Sequence, residues 1–197
     1  MPGFLKVIEG VNMEPLQRAL ETHRHLFGRI PLRAAPPGSP HRDMTDIWVR
    51  YNDIKNYDPN PDSFCTSESD FNAEHDSTWY PSYYALPELK PILFGMMGAL
   101  DGERLGGILI TKLPPGKEIL PHVDGGWHAA YYEKFYVAVK TPPESFFGFD
   151  DGEIHANDGD IYWFDNSVPH WVKNQTEEDR ISMIVCIKTD KFKGCRG

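Results

Sequence analysis

The chain is 197 residues long, with a formal net charge of −9, 40% hydrophobic residues and 13% aromatic residues. That length supports one domain with a sizeable core. The acidic balance argues against duplex nucleic acid or an anionic membrane surface as a partner, since both select a basic face, and no apolar run approaches the ~18 residues of a membrane span.

Residues 4–9 read as a short first strand. Asn12 is placed to cap a helix, with Pro15 tolerated in its first turn. Leu16, Leu20, His23 and Phe27 follow at helical spacing, and Gly28 ends the run. His23 and His25 are expected to be structural, at the helix end that favours cations. Residues 31–41 are rich in Pro, Gly and Ala and read as loop. Asp46 to Tyr51 reads as a strand, with Ile47 and Val49 on one face and Trp48 and Arg50 on the other. If the second face looks into a pocket, Arg50 is a cation aimed at an anionic substrate group. The alternative is a surface Arg paired with one of the many acids. Residues 52–78 form a long polar excursion that suits a lid over the pocket mouth, with His75 solvated in it. Residues 87–100 read as a second amphipathic helix, with Leu89, Ile92, Leu93, Met96, Met97 and Leu100 as its core stripe.

From residue 104 the pattern turns β-rich. Short runs at 105–112, 117–123, 132–140, 145–150, 153–155, 160–165, 169–173 and 180–188 are separated by turn residues such as Pro114-Pro115-Gly116 and Asn157-Asp158-Gly159. Many short strands with regular turns predict a sandwich or barrel. The expected fold is mainly β: a jelly roll with N-terminal and flanking helices packed outside. We expect one domain over 1–197, helical and looped to about 103, with the jelly-roll core at about 104–190.

Leu120-Pro121-His122-Val123-Asp124-Gly125-Gly126 carries the first chemical signal. On an extended strand, residues i and i+2 project to the same face, so His122 and Asp124 can reach one point. A second imidazole completes the 2-His-1-carboxylate face that holds non-haem Fe(II) and leaves the opposite positions open. Alone, His-x-Asp is a weak signal. His170 is too distant in sequence for a local motif, but a jelly roll makes neighbours of distant strands. Arg180 lies across the Asn174–Asp179 turn from His170, and Ser182 is two residues further on the same strand face. Together they can bind a terminal carboxylate, Arg180 through its bidentate fork. Each has a bland alternative: a satisfied barrel histidine, or an arginine paired with Glu177 or Asp179. Jointly, their order and spacing favour an oxygenase. His128 reads as a loop residue near the pocket mouth and His155 as exposed. Trp127, Trp163 and Trp171 read as core or barrel wall, and Trp127 can also cover a substrate.

The segment Trp163-Phe164-Asp165-Asn166-Ser167-Val168-Pro169-His170-Trp171-Val172-Lys173-Asn174, followed by Arg180 and an apolar strand, resembles the aspartyl/asparaginyl β-hydroxylase family of Fe(II)/2-oxoglutarate dioxygenases. The resemblance spans roughly residues 105–190 and is most specific at 160–187. Before it, only Ser39-Pro40-His41 and the Asp46–Arg50 strand match. The resemblance implies a double-stranded β-helix, Fe(II) as metal, and 2-oxoglutarate and O2 as co-substrates, with ascorbate as the in vitro reductant. By position it makes His122 and His170 iron ligands and gives Arg180 the distal carboxylate of 2-oxoglutarate. The family's best-known peptidyl hydroxylase lacks a carboxylate ligand. Asp124 therefore makes this chain more similar to the bacterial and phage-type branches, which include free-proline hydroxylases. That hydroxylase also has a basic residue on the strand after the first His, which makes Lys134 or Tyr136 the candidate second anchor for 2-oxoglutarate.

The expected function is hydroxylation of a small amino acid or of an amino-acid side chain in a peptide. Arg50 would anchor the substrate, with Trp48, Trp127 and His128 around it. The alternative is a non-catalytic, cupin-like metal or small-molecule binding protein on the same fold. Cys65, Cys186 and Cys195 form no CxxC pair and are odd in number, which fits a reducing compartment. With no basic, apolar leader at the N-terminus, the expected location is cytoplasmic.

Overall fold

The computed structural model describes residues 3–56 and 71–195. In chain order the elements are β1 (Phe4–Ile8), α1 (Glu14–Thr22), β2 (Thr45–Tyr51), β3 (Thr78–Trp79), α2 (Pro81–Ala85), α3 (Leu89–Ala99), β4 (Arg104–Leu113) and β5 (Glu118–His122). They continue with α4 (Gly126–Tyr131), β6 (Glu133–Lys140), β7 (Ser145–Phe149), β8 (Gly152–Ile154), β9 (Ile161–Phe164), β10 (His170–Asn174) and β11 (Arg180–Lys188). A seven-stranded sheet runs β1-β9-β6-β11-β4-β2-β3, and a four-stranded sheet runs β5-β10-β7-β8. The fold is the expected jelly roll, and the first hundred residues add β1, β2 and β3 to its larger sheet.

Side-chain alternation divides the large sheet into two faces. On β11, Ile181, Met183, Val185 and Ile187 join Leu16 and Leu20 of α1 and Leu89, Leu93 and Met96 of α3 in one buried core. Phe135, Val137 and Val139 of β6 and Ile108 and Ile110 of β4 belong to the same cluster. The opposite face meets the small sheet: Tyr136 and Phe164 pack with Phe147, Phe149 and Val172. The helices thus cover the outside, and the space between the sheets receives every second residue of β4, β6 and β11.

Several local expectations are corrected. The first helix stops at Thr22 and a 3-10 turn, Arg24–Leu26, carries the chain to Gly28, whose φ of 73° needs glycine. The N-cap position belongs to Met13 rather than Asn12, whose Oδ1 accepts from the Glu14 N–H at 3.0 Å from one residue further out. Residues 126–131 form a short helix, which the Gly125-Gly126 pair disguised in sequence. His75 is not solvated. Its ring meets Tyr51, Trp127 and His128 at 4.8, 5.5 and 5.7 Å. The lid expectation falls largely on residues 57–70, and with Cys65 lies outside the described residues. Among the described residues no helix is long and apolar enough to cross a membrane.

Candidate active site

A cavity of about 500 Å³ opens between the sheets, and its walls include His122, Asp124, His170, Lys134, Tyr136, Arg180, Ser182, Trp48, Tyr51 and His128. His122 and His170 face each other across the β5–β10 ladder as register partners. Their ring centroids are 4.4 Å apart. Asp124 lies just past the end of β5, held by its N–H to the carbonyl of Asn166 at 3.1 Å. Its Oδ1 is 3.9 Å from His122 Nε2 and its Oδ2 is 3.6 Å from His170 Nε2. One donor atom from each of the three residues lies within 4.8 Å of the others, the spacing a single metal ion needs.

Each imidazole is oriented by the main chain. His122 Nδ1 donates to the Leu120 carbonyl at 2.8 Å and His170 Nδ1 to the Val168 carbonyl at 2.9 Å. A carbonyl only accepts, so the proton sits on Nδ1 and the Nε2 lone pair is free for a metal. Burial, the largest influence, lowers the pKa of both rings and keeps them neutral, the state a ligand requires. Burial opposes ionisation of Asp124, but Lys134, His170 and His122 outweigh it and hold the carboxyl well below its ordinary range. The Lys134 ammonium is 2.6 Å from Asp124 Oδ2. Lys134 or Tyr136 was the candidate second anchor for 2-oxoglutarate; in this structure Lys134 pairs with Asp124, and the Tyr136 ring lies under the Arg180 guanidinium.

Arg180 and Ser182 project from β11 into the same space, with Ile184 and Cys186 beyond them. Arg180 is 1% exposed. Its Nη1 donates to Ser182 Oγ at 3.2 Å, whereas Nε and Nη2 are buried and have no hydrogen-bond partner among the described residues. Its guanidinium lies over the Tyr136 ring at 5.1 Å. A buried cation with two unspent N–H edges is costly unless an anion completes it, and a carboxylate fits that fork. Burial pushes the Cys186 thiol up to about 11, so it stays protonated.

The expected substrate residues divide. Trp48 lines the cavity, 6% exposed, and its indole N–H has no partner among the described residues. His128 also lines it, from α4 rather than from a loop. Trp127 is half-buried on α4, stacked on Tyr131 at 5.1 Å, outside the cavity wall. Arg50 is a correction. A register shift against β4 between Trp48 and Arg50 breaks the alternation, so Arg50 pairs with Ile108, whose side chain belongs to the helix-covered core. Its guanidinium sits 4.7 Å over Trp79, and its Nε donates to the Leu105 carbonyl. Tyr51, one residue later, takes the cavity-facing place.

Sequence reasoning also missed Arg33 and Gly107, and gave His41 no role beyond the matching Ser39-Pro40-His41 segment. Arg33 pairs with Asp46 at 3.2 Å and reaches His41 Nδ1 at 3.1 Å, and the His41 ring stands edge-on to His122 at 4.5 Å. Nothing in a Pro- and Ala-rich loop marks Arg33 as a cavity residue. Gly107 carried a readable signal, because a Gly-Gly pair inside a strand marks a close approach.

Among known proteins, the Aspartyl/Asparaginyl beta-hydroxylase family profile matches residues 74–189. A search of curated proteins finds no match. Among solved structures, a 2OG-Fe(II) oxygenase-family oxidoreductase from Burkholderia pseudomallei is 13% identical, with TM-score 0.53, over 86% of this chain and 78% of that one. The viral collagen prolyl hydroxylase of Paramecium Bursaria Chlorella virus-1, in its 2OG complex, is 11% identical with TM-score 0.52 over 95% and 96%. A Trichoplax adhaerens prolyl hydroxylase, in complex with a hypoxia inducible factor oxygen degradation domain peptide fragment, is 13% identical with TM-score 0.51 over 99% and 87%. These likenesses support the jelly-roll fold, and the profile covers more than half of the chain, including the metal triad and Arg180. The chain belongs to the aspartyl/asparaginyl β-hydroxylase family.

Proposed function

We propose that this chain is a single-domain Fe(II)- and 2-oxoglutarate-dependent dioxygenase that hydroxylates an amino acid, free or within a peptide. The observation that carries the reading is the Arg180 guanidinium, buried and half unpaired in the same cavity as a His–Asp–His triad. The donor set of two neutral imidazoles and one carboxylate suits non-haem Fe(II), so the residues fit the metal. When bound, the metal and 2-oxoglutarate supply the oxidising chemistry: R–H + 2-oxoglutarate + O2 → R–OH + succinate + CO2.

The chain's own residues position and protect. His122 and His170 offer Nε2, with tautomers fixed from behind by main-chain carbonyls. Lys134 steadies Asp124 from the side. Arg180 and Ser182 grip the distal carboxylate of 2-oxoglutarate, and the Tyr136 face supports the guanidinium through a cation–π contact. Phe147, Phe164, Val172 and Ile184 line the cavity with apolar surface that limits water. The two prolyl hydroxylases of similar fold make prolyl and free-proline compounds the first substrates to try.

The test measures succinate formed from 2-oxoglutarate by the full chain with Fe(II) and ascorbate, across a panel of free amino acids and peptides. Metal-dependent succinate, stimulated by at least one panel member, is the expected result. A protein that binds metal and 2-oxoglutarate without any turnover would instead be a non-catalytic binding protein on the same fold.

A further inference from the structure

We infer that His128 is a substrate-recognition residue, donating a hydrogen bond from Nδ1–H to a carboxylate or carbonyl oxygen of an amino-acid substrate. This deepens the oxygenase reading and rests on it for the identity of the cavity.

Gly107 sets the tautomer of this ring. Its backbone N–H can only donate, and it donates to His128 Nε2 at 3.0 Å. Nε2 therefore carries the lone pair, and the proton of the neutral ring sits on Nδ1. Burial lowers the pKa of this ring to about 3, so the neutral form is the one present near neutral pH. Nδ1 has no hydrogen-bond partner among the described residues, and it is not one of the buried unpartnered polar atoms. His128 is a wall residue of the cavity. The ring thus offers the cavity one N–H donor and no base.

Its direction is fixed by packing. Tyr132 lies at 4.5 Å, Tyr51 at 5.1 Å and His75 at 5.7 Å, the last nearly parallel at 14°. A Cβ on Gly107 would meet His128 Cε1 at 3.0 Å, so the strand is cut to the shape of this imidazole. Such support pre-organises a recognition group.

The rest of this wall adds a further donor: the Trp48 indole N–H has no partner among the described residues. Arg33 and Lys134 add two cations to the cavity lining, against the single carboxylate of Asp124. A group that brings oxygen acceptors, preferably anionic, satisfies this set.

Two variants separate recognition from packing. Gln in place of His128 presents a carbonyl oxygen where Nε2 accepts from Gly107 and loses the donor at Nδ1. Asn keeps an N–H donor at the Nδ1 position and loses the Gly107 bond. Zn(II)-loaded full chain with 2-oxoglutarate, labelled with 15N-histidine, reads the tautomer directly by NMR. L-proline, L-aspartate and L-asparagine are the probes, with pyrrolidine as the carboxylate-free control. We expect the Nδ1–H tautomer, a shift of that proton with at least one amino acid, and none with pyrrolidine. His128→Gln should weaken the probe's binding roughly tenfold or more, and His128→Asn should retain most of it. An Nε2–H tautomer, no response to any of the three amino acids, or equal loss in both variants would overturn the assignment. Fe(II)-dependent succinate formation, measured in parallel on the unmodified chain, tests the oxygenase reading separately. Its absence refutes that reading and leaves the tautomer and probe binding as found.

Discussion

The two walls of the cavity are built by different means. The wall of β6, β10 and β11 keeps its side-chain alternation through register shifts against β5 and between β6 and β11, and strand periodicity delivers Lys134, Tyr136, His170, Arg180 and Ser182 to one space. The wall of β2 and α4 is irregular: a register shift turns Arg50 away, a short helix carries His128, and a loop brings in Arg33 and His41. The regular wall holds the groups assigned to metal and co-substrate. The irregular wall holds those free to meet a substrate. In a fold shared at 11–13% identity with prolyl hydroxylases, that division lets the substrate side change without disturbing the regular strands.

The comparison breaks most severely at His170, which is 4% exposed and supplies one of three donors. His170→Ala should abolish metal-dependent 2-oxoglutarate turnover. Its loss of metal affinity should exceed the roughly 10–100-fold typical of an outer-shell partner, as calorimetry with Co(II) or Zn(II) would read. Retained metal affinity would remove the triad from the regular wall.

Arg180 should give the next largest effect, in two directions at once. Arg180→Met removes a buried guanidinium with two unpartnered edges. The metal- and co-substrate-free protein should gain about 1–3 kcal/mol, the cost of an unsatisfied buried donor, while losing its stabilisation by 2-oxoglutarate. Arg180→Lys should bind 2-oxoglutarate roughly 10–100-fold more weakly, since the charge stays but the fork is lost. Thermal melts with and without 2-oxoglutarate check both, and metal affinity should be unchanged.

Acid should act on both walls together. Burial lowers the pKa of His41, His122, His128 and His170 from the ordinary 6.5. Just below pH 6.5 the unfolded chain binds protons that the folded chain refuses, so unfolding gains ground as pH falls. Stability of the metal-free protein should be full above pH 6.5 and decline steadily toward pH 3, where His128 finally titrates. A flat denaturation midpoint between pH 6.5 and 5 would contradict these buried neutral rings.

Arg50 should give the smallest effect. Arg50→Ala should leave substrate-stimulated turnover unchanged and cost about 0.5–1 kcal/mol for its contact over Trp79. Loss of turnover in this variant would return Arg50 to the substrate site.

What was legible in sequence follows the same division. His122 and Asp124 could be read from their i, i+2 spacing, Arg180 and Ser182 because alternation survives along β11, and His170 because a jelly roll brings distant strands together. Arg50 could not, because a one-residue register shift leaves no mark in DIWVRY yet reverses every face after it. His75 was misread because polar neighbours disguised an aromatic ring that closes on Tyr51 and His128. Gly106-Gly107 was in plain sight, but which rings would fill the space it leaves, Tyr132 and His128, is a tertiary fact.

The carbonyls behind His122 and His170 belong to the backbone at Leu120 and Val168. Many metal sites depend on a supporting carboxylate that a single substitution can remove. Here any residue at those two positions presents the same oxygen. The tautomers of the metal-facing imidazoles are therefore insulated from sequence drift at their supports, and only a change that bends the local chain, such as an insertion between Leu120 and His122 or between Val168 and His170, can take the acceptors away.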